Sequence, residues 1–324
     1  MKSALANLVV AAVLGMSPSA FAQSLAFPSG PITMVVPYAA GGPTDTVARL
    51  TAETMGRILD QRIVVENVAG AGGTVGMARV AKSEPNGQTL LLNHIGMATS
   101  VTLFPKTAAN PVGDFEPIGL IVDAPMTLVG RGSLPVNTLS ELIAYIKANK
   151  DKITYANAGP GTASYLCGML FMSAIGQEIT AVSYRGTGPA MTDLVGGQVD
   201  LMCDQTTNTT SYITAGSIKA FVATRAERLP TLPQVPSAKE AGMDTLDLSI
   251  WHGIYAPKGT PPAALEKLQT SLSAALDDTN LSERFTALGG IVVAKPERTP
   301  EGLRKKLQSE INRWRAVLKS AAVQ

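Results

Sequence analysis

Short apolar runs alternating with helical repeats set the pattern of this chain. Runs at 32–36, 63–68, 89–93, 118–122, 126–129, 153–156, 179–182, 199–203, 220–223 and 250–256 read as strands. Between them, apolar positions three and four apart predict helices over 46–59, 76–82, 139–149, 162–175 and 190–195, and further ones over 263–276, 281–288 and 301–318. Leu265, Leu268, Leu272, Ala275 and Leu276 form one core-facing stripe of that last group. Buried strands spaced by helices predict an α/β protein with mainly parallel sheets flanked by helices. No repeat and no low-complexity linker divides the chain, so two lobes would have to be joined by more than one crossing. The crossings are expected near 123–125 and 247–251, which makes a hinge there.

The strand ends carry the chemistry. Pro37-Tyr38-Ala39-Ala40-Gly41-Gly42-Pro43-Thr44-Asp45 follows an apolar strand and opens a helix. Ala158-Gly159-Pro160-Gly161-Thr162-Ala163-Ser164 does the same further on, and Arg185-Gly186-Thr187-Gly188-Pro189 is a third helix start. Such turns present unpaired N–H groups at the positive end of a helix dipole, which suits an anion. Ligands of open α/β sheets sit outside the strand carboxyl ends. Two anion-capturing turns far apart in the chain suggest a ligand with two acidic ends, or one clamped between lobes. For Thr44 or Thr162 taken singly, helix capping is an equally good account. Asp204, at the exit of its strand, is the better cleft candidate of the pair Asp200 and Asp204. Tyr38, Tyr165 and Tyr184 stand beside the turns, and Tyr38 could donate to a carboxylate.

Composition narrows the reading. Lys2, an apolar stretch from Leu5 to Met16 and Ala20-Phe21-Ala22 form an export signal over 1–22, with the mature chain starting at Gln23 in the periplasm. The remaining 302 residues suffice for two domains. The formal net charge is +2, and +1 without Lys2, which gives no footprint for nucleic acid. Cys167 and Cys203 are the only cysteines, and with His94 and His252 as the only histidines they make no zinc site. The two cysteines are either a disulfide or two small buried residues.

Enzymatic readings find little support. Gly70-Ala71-Gly72-Gly73-Thr74-Val75-Gly76 has Val75 where a dinucleotide fingerprint needs its third glycine, and the following strand ends in Asn93-His94 rather than an acid. The Gly159 and Gly161 turn lacks a phosphate-loop ending, and there is no nucleophile elbow. No cofactor or metal is expected.

In this order, the 37–45 motif, Asp114-Phe115-Glu116-Pro117-Ile118, Tyr155-Ala156-Asn157-Ala158-Gly159-Pro160-Gly161-Thr162, Tyr184-Arg185-Gly186-Thr187-Gly188-Pro189-Ala190, Gly197-Gln198-Val199-Asp200 and Ala256-Pro257-Lys258-Gly259-Thr260-Pro261 span the mature chain. The chain resembles the Bug receptors, the extracytoplasmic solute receptors of tripartite tricarboxylate transporters. The resemblance implies a two-lobed Venus-flytrap binding protein, not an enzyme, that closes on a di-, tricarboxylate or aromatic acid and delivers it to membrane permease subunits. Lobe 1 would comprise 23–124 and 251–324, lobe 2 would comprise 125–250, and a monomer is expected. Carried over to this sequence, the first turn supplies Tyr38, Ala39, Gly41, Gly42 and Thr44, and the second Ala158, Gly161, Thr162, Ala163 and Ser164. His94, Gly186 and Asp204 complete the candidate set. Tyr165 stands where the family commonly has His, which bears on ligand identity. A receptor that signals to a membrane sensor is the alternative role, and an exported hydrolase the remote one.

Overall fold

The computed structural model describes residues 27–106, 109–149 and 152–321. The expected export signal and its cleavage site lie outside the described residues. Strands β1 (Ile32–Val36), β2 (Ile63–Asn67) and β3 (Thr89–Asn93) pair in parallel, with β1 between the other two. Helices α1 (Pro43–Leu59) and α2 (Thr74–Ala81) connect them, and α3 (Gly96–Leu103) follows β3. Strand β4 (Phe115–Arg131) then leads through α4 (Leu139–Asn149) into a second set of units. These are β5 (Thr154–Asn157), α5 (Ala163–Ile175), β6 (Thr180–Ser183), α6 (Thr187–Val195), β7 (Leu201–Gln205), α7 (Thr206–Thr214) and β8 (Ile218–Ala223). The chain returns through β9 (Ser249–Pro257) to α8 (Pro262–Leu276), α9 (Thr279–Ala287), β10 (Ile291–Val292) and α10 (Pro300–Ala321).

The strands run in the order β2-β1-β3-β9-β4-β7-β5-β6, with β8 and β10 also pairing with β4. Among the described strands, β1 pairs in parallel with β2 and β3, and β5 with β6 and β7. Every pairing made by β4 and β9 is antiparallel, so the sheet is mixed rather than mainly parallel. The reason is topological. These two strands carry the chain between the halves in opposite directions and pair side by side, with Asp123 against Trp251 and Pro125 against Ser249. The apolar runs at 118–122 and 126–129 belong to one strand of 17 residues, interrupted in pattern but not in backbone by Asp123-Ala124-Pro125.

Each half buries its own core. Met34, Val36, Val47, Met55, Leu90 and Leu268 pack in the first. In the second, Leu128, Tyr155, Leu166, Phe171 and Leu201 are buried together. Helix α10 serves both. Leu303, Leu307 and Ile311 pack with Val35, Trp251 and Tyr255, whereas Trp314 and Leu318 sit with Met126, Leu128 and Ile250 in the core of the second half. The stretch expected to belong wholly to the first lobe therefore straddles the junction. Cys167 and Cys203 are joined, with Cα atoms 6.1 Å apart, tying α5 to β7.

Candidate functional site

Four helix N-termini converge on one cavity between the halves. The first belongs to α1, whose cap is Gly42 and whose first helical residue is Pro43. Its first intrahelical bond runs from the Thr46 N–H to the Gly42 carbonyl (3.0 Å), so the N–H groups of Thr44 and Asp45 have no carbonyl a turn behind them. Asp45 shapes this turn. Its Oδ2 accepts from the Gly41 N–H (3.0 Å) and from Arg49 Nε (3.0 Å), and its Oδ1 accepts from Asn67 Nδ2 (3.0 Å). Burial works to raise the Asp45 pKa, but Arg49, the Gly41 N–H and Asn67 outweigh it and hold the carboxylate low.

The second N-terminus is that of α5, capped by Thr162, with its first bond from the Leu166 N–H to the Thr162 carbonyl (3.0 Å). Side chains brace the preceding turn. Asn157 Oδ1 accepts from the Gly159 N–H (2.8 Å), Ser164 Oγ accepts from the Ala158 N–H (2.9 Å), and Thr162 Oγ1 donates to the Gly159 carbonyl (2.7 Å). The Thr162 hydroxyl is thus spent within its own turn, and the groups left to receive an anion are the N–H groups of Ala163 and Ser164. The third and fourth ends are α6, capped by Gly186, and α7, capped by Gln205.

Of the residues proposed from sequence, Tyr38, Ala39, Gly42, Thr44, His94, Ala158, Thr162, Ala163, Ser164, Gly186 and Asp204 line this cavity. Gly41 and Gly161 do not. Gly41 has φ +79°, and its N–H is held by Asp45. Gly161 lies at a contact between the halves, where its carbonyl accepts from Thr99 Oγ1 (2.7 Å). Pro43, Asp45, Thr187 and Gln205 also line the cavity. Thr187 and Pro43 were legible as parts of glycine–proline helix starts. Gln205 was not, because the threonine-rich α7 shows no apolar stripe. Tyr165 is absent from the lining and instead borders a groove with Met169 and Met172.

The electrostatics are unusual for an anion site. No lysine or arginine is among the lining residues. His94 is buried, stacked on Tyr38 with ring centroids 4.8 Å apart, and edge-on to His252 at 5.4 Å. Burial, reinforced by His252, keeps His94 neutral by pushing its pKa well down. Its Nδ1 accepts from the Gly96 N–H (3.4 Å), which leaves the ring proton on Nε2 as a donor. Asp204 is fully buried, with Oδ2 accepting from Asn208 Nδ2 (2.7 Å) and Oδ1 making no hydrogen bond. Burial raises its pKa to about 6, against the easing effect of Asn208, the Gln205 N–H and the Thr187 hydroxyl. The last two lie close without reaching hydrogen-bonding geometry. Positive potential here comes from backbone dipoles rather than from charged side chains.

The halves touch around this cavity. The Ala39 N–H donates to the Arg185 carbonyl (3.1 Å). A Cβ at Gly188 would stand 2.4 Å from the Ala40 carbonyl oxygen, so the two turns meet backbone to backbone. The arrangement is a closed clamp.

The family model of TctC, the tripartite tricarboxylate transporter family receptor, matches residues 47–323. The chain belongs to this family. As a TctC receptor it is a solute-binding protein of the two-lobed periplasmic-binding-protein fold. It is 48% identical over 295 residues to the Agrobacterium vitis "UPF0065 protein in the TAR-I ttuE-ttuC' intergenic region", covering 91% of this chain and 85% of that protein. Among solved structures it is similar to the periplasmic binding protein BugD, at 48% identity and TM-score 0.90 over 92% of this chain and 99% of that one. It is also similar to MatC from Rhodopseudomonas palustris, solved with bound malate, at 42% identity and TM-score 0.86 over 90% of this chain and 99% of that one. The sequence resemblance to the Bug receptors is thereby confirmed, and so is the receptor fold.

Proposed function

We propose that this TctC receptor captures a small dicarboxylate in the periplasm by closing two lobes over it, and presents the closed form to the permease subunits of a tripartite transporter. One observation carries the reading: four helix N-termini face one cavity whose lining has no cationic side chain. Such a site stabilises a carboxylate through oriented N–H groups, each charge-assisted bond contributing about 1.5–3 kcal/mol. One ligand carboxylate rests on Thr44 and Asp45 of α1, the other on Ala163 and Ser164 of α5, with His94 Nε2 as a side-chain donor. Two pairs of N–H groups on different helix starts favour an acid with two carboxylates. MatC, a relative at 42% identity, was solved with bound malate, an acid of that kind.

The lobes meet where β4 and β9 cross, near Asp123 to Pro125 and Ser249 to Trp251, and we place the boundaries there. Lobe 1 is then 23–124 with 251–324, and lobe 2 is 125–250, with α10 lying across the junction. The receptor acts as a monomer after removal of 1–22. Ligand contacts made only in the closed form shift the open–closed equilibrium. A thermal-shift screen of short dicarboxylates tests this. A concentration-dependent rise in melting temperature for at least one is expected. No shift with any carboxylate, together with a shift for a neutral or cationic solute, would end the proposal.

A further inference from the structure

Two contacts between the halves adjoin the cavity, and they differ in kind. Between the turns before α1 and α6 the contact is backbone to backbone, from the Ala39 N–H to the Arg185 carbonyl (3.1 Å). Between α3 and the turn before α5 it runs through a side chain. Thr99 Oγ1 donates to the Gly161 carbonyl at 2.7 Å, and Thr99 is 1% exposed. The fit around this bond is close. A Cβ at Gly161 would stand 3.0 Å from Thr99 Oγ1 and from Leu103 Cδ1, and one at Gly72 would stand 2.6 Å from the Pro160 carbonyl oxygen.

The Thr99 hydroxyl has one proton and three carbonyls within reach. Besides that of Gly161, those of Ile95 (3.3 Å) and Gly96 (3.4 Å) lie near it at the start of its own helix. Carbonyls three and four residues back are the ordinary partners of a threonine inside a helix. The Ile95 carbonyl also receives the N–H groups of Ala98 (3.0 Å) and Thr99 (3.1 Å). A hydroxyl placed this way need never be left unpaired. With the halves together it takes the short bond across the gap. With the halves apart it returns to its own helix, and water takes the Gly161 carbonyl. Opening then strands no polar group, so the bond can be made and broken repeatedly.

Both ends of the bond adjoin the site. Thr99 sits on α3, which begins two residues after His94, and Gly161 immediately precedes Thr162, the cap of α5. His94, Ala163 and Ser164 all line the cavity. The bond therefore ties the segment bearing His94 in one half to the anion-holding turn of the other.

We propose that the Thr99 hydroxyl is a latch of the closed receptor, a positioning residue that holds α3 against the α5 turn and slows release of the bound ligand. The inference rests on the dicarboxylate reading above. Because the latch exists only with the halves together, it acts on dissociation and not on encounter. It touches no ligand, so it slows the loss of every bound diacid alike and selects none.

Stopped-flow binding of succinate and of malate to wild type, Thr99→Val and Thr99→Ser tests the latch. Thr99→Val keeps the shape of the side chain and deletes the hydroxyl. It should raise koff about three- to tenfold for each diacid that binds and leave kon within about twofold. Thr99→Ser should restore the wild-type koff, and ligand-free melting should move little in either variant. An unchanged koff, or a rise that Thr99→Ser does not reverse, overturns the latch and leaves the dicarboxylate receptor standing. So does a fall in ligand-free stability as large as the loss of affinity, because Thr99 would then serve the fold alone. Thr99→Ala takes the place of Thr99→Val if that variant fails to fold. If neither diacid binds, the dicarboxylate reading fails, and the latch is judged without ligand. Spin labels on Val75→Cys and Val195→Cys, exposed positions in the two halves, then report the closed fraction. A fraction that falls in Thr99→Val and returns in Thr99→Ser upholds the latch; an unchanged or undetectable one overturns it.

Discussion

At the scale of single residues, the proposed site divides its work between backbone groups that hold and side chains that shape. Thr162 illustrates the division. Its position at a helix start suggested a hydroxyl aimed at the ligand, yet that hydroxyl donates to the Gly159 carbonyl. Thr162→Val should therefore act through the turn, lowering stability by about 0.5–1.5 kcal/mol in denaturant melts, with the larger effect on folding rather than on affinity. Asp204 makes a sharper case. Its carboxyl is raised from 3.8 to about 6 by burial, so its favourable neutral form is complete below pH 3.8 and is lost as pH rises through 6. About two units correspond to roughly 3 kcal/mol, an order of magnitude only. His252, held down to about 4, acts in the opposite sense, losing stability as pH falls from 6.5 through 4. Comparing wild type with Asp204→Asn cancels the histidines. In ligand-free melts, the variant's stability relative to wild type should rise between pH 4 and 7. A flat difference would place the carboxyl in water.

The elements were legible in uneven measure. Strands ending in glycine turns were readable because a buried run, a glycine and a helical repeat are each strong local signals, and three of the four helix starts at the cavity were found that way. Helix α7 was not read. Its sequence Thr206 to Thr214 is polar throughout, yet Thr206, Thr207, Asn208, Thr209 and Thr210 are buried. Three of the threonine hydroxyls find partners beyond the helix: Thr206 Oγ1 donates to the Gly289 carbonyl (3.0 Å), Thr210 Oγ1 to that of Leu288 (3.2 Å), and Thr209 Oγ1 pairs with Thr127 Oγ1 (2.7 Å). Polar burial of this kind depends on tertiary partners and leaves no periodicity. With α7 went Gln205. The disulfide belongs to this scale too, because it pins α5 to β7, and both carry cavity residues. It closes a loop of 36 residues, for which chain entropy suggests about 3–4 kcal/mol. Reduction, or Ser at both positions, should lower the melting temperature by several degrees, while the folded fraction still binds ligand with little change in affinity. A large loss of affinity at unchanged stability would give the bridge a role in shaping the site.

For the whole molecule, the closure proposed above depends on glycine. The turn before α6 approaches the turn before α1 so closely that Gly188 has no room for a Cβ beside the Ala40 carbonyl. Gly188→Ala should leave each lobe folded and prevent full approach, weakening binding at least tenfold with a small change in ligand-free stability. Calorimetry and melting curves on one preparation check both. Unchanged affinity would mean that the closed contact is dispensable. The mixed sheet was the part of the architecture least visible in advance, since strand pairing between residues more than a hundred positions apart, such as Phe115 with Pro257, has no local signature.

That long-range pairing has a consequence for how the chain comes into being. A protein is made from its amino end, and here neither lobe is complete until the carboxyl end exists. The first lobe lacks β9 between β3 and β4 until residue 257 is made, and the second lacks Trp314 and Leu318 in its core until α10 is made. A growing chain of two hundred residues has strands but no finished interior, so stable folding waits for the last segment. Such delay suits a polypeptide that must be threaded through a membrane before it folds. A chain ending at Thr299 should accordingly show no cooperative melting transition, whereas a sharp transition would mean that the lobes assemble without α10.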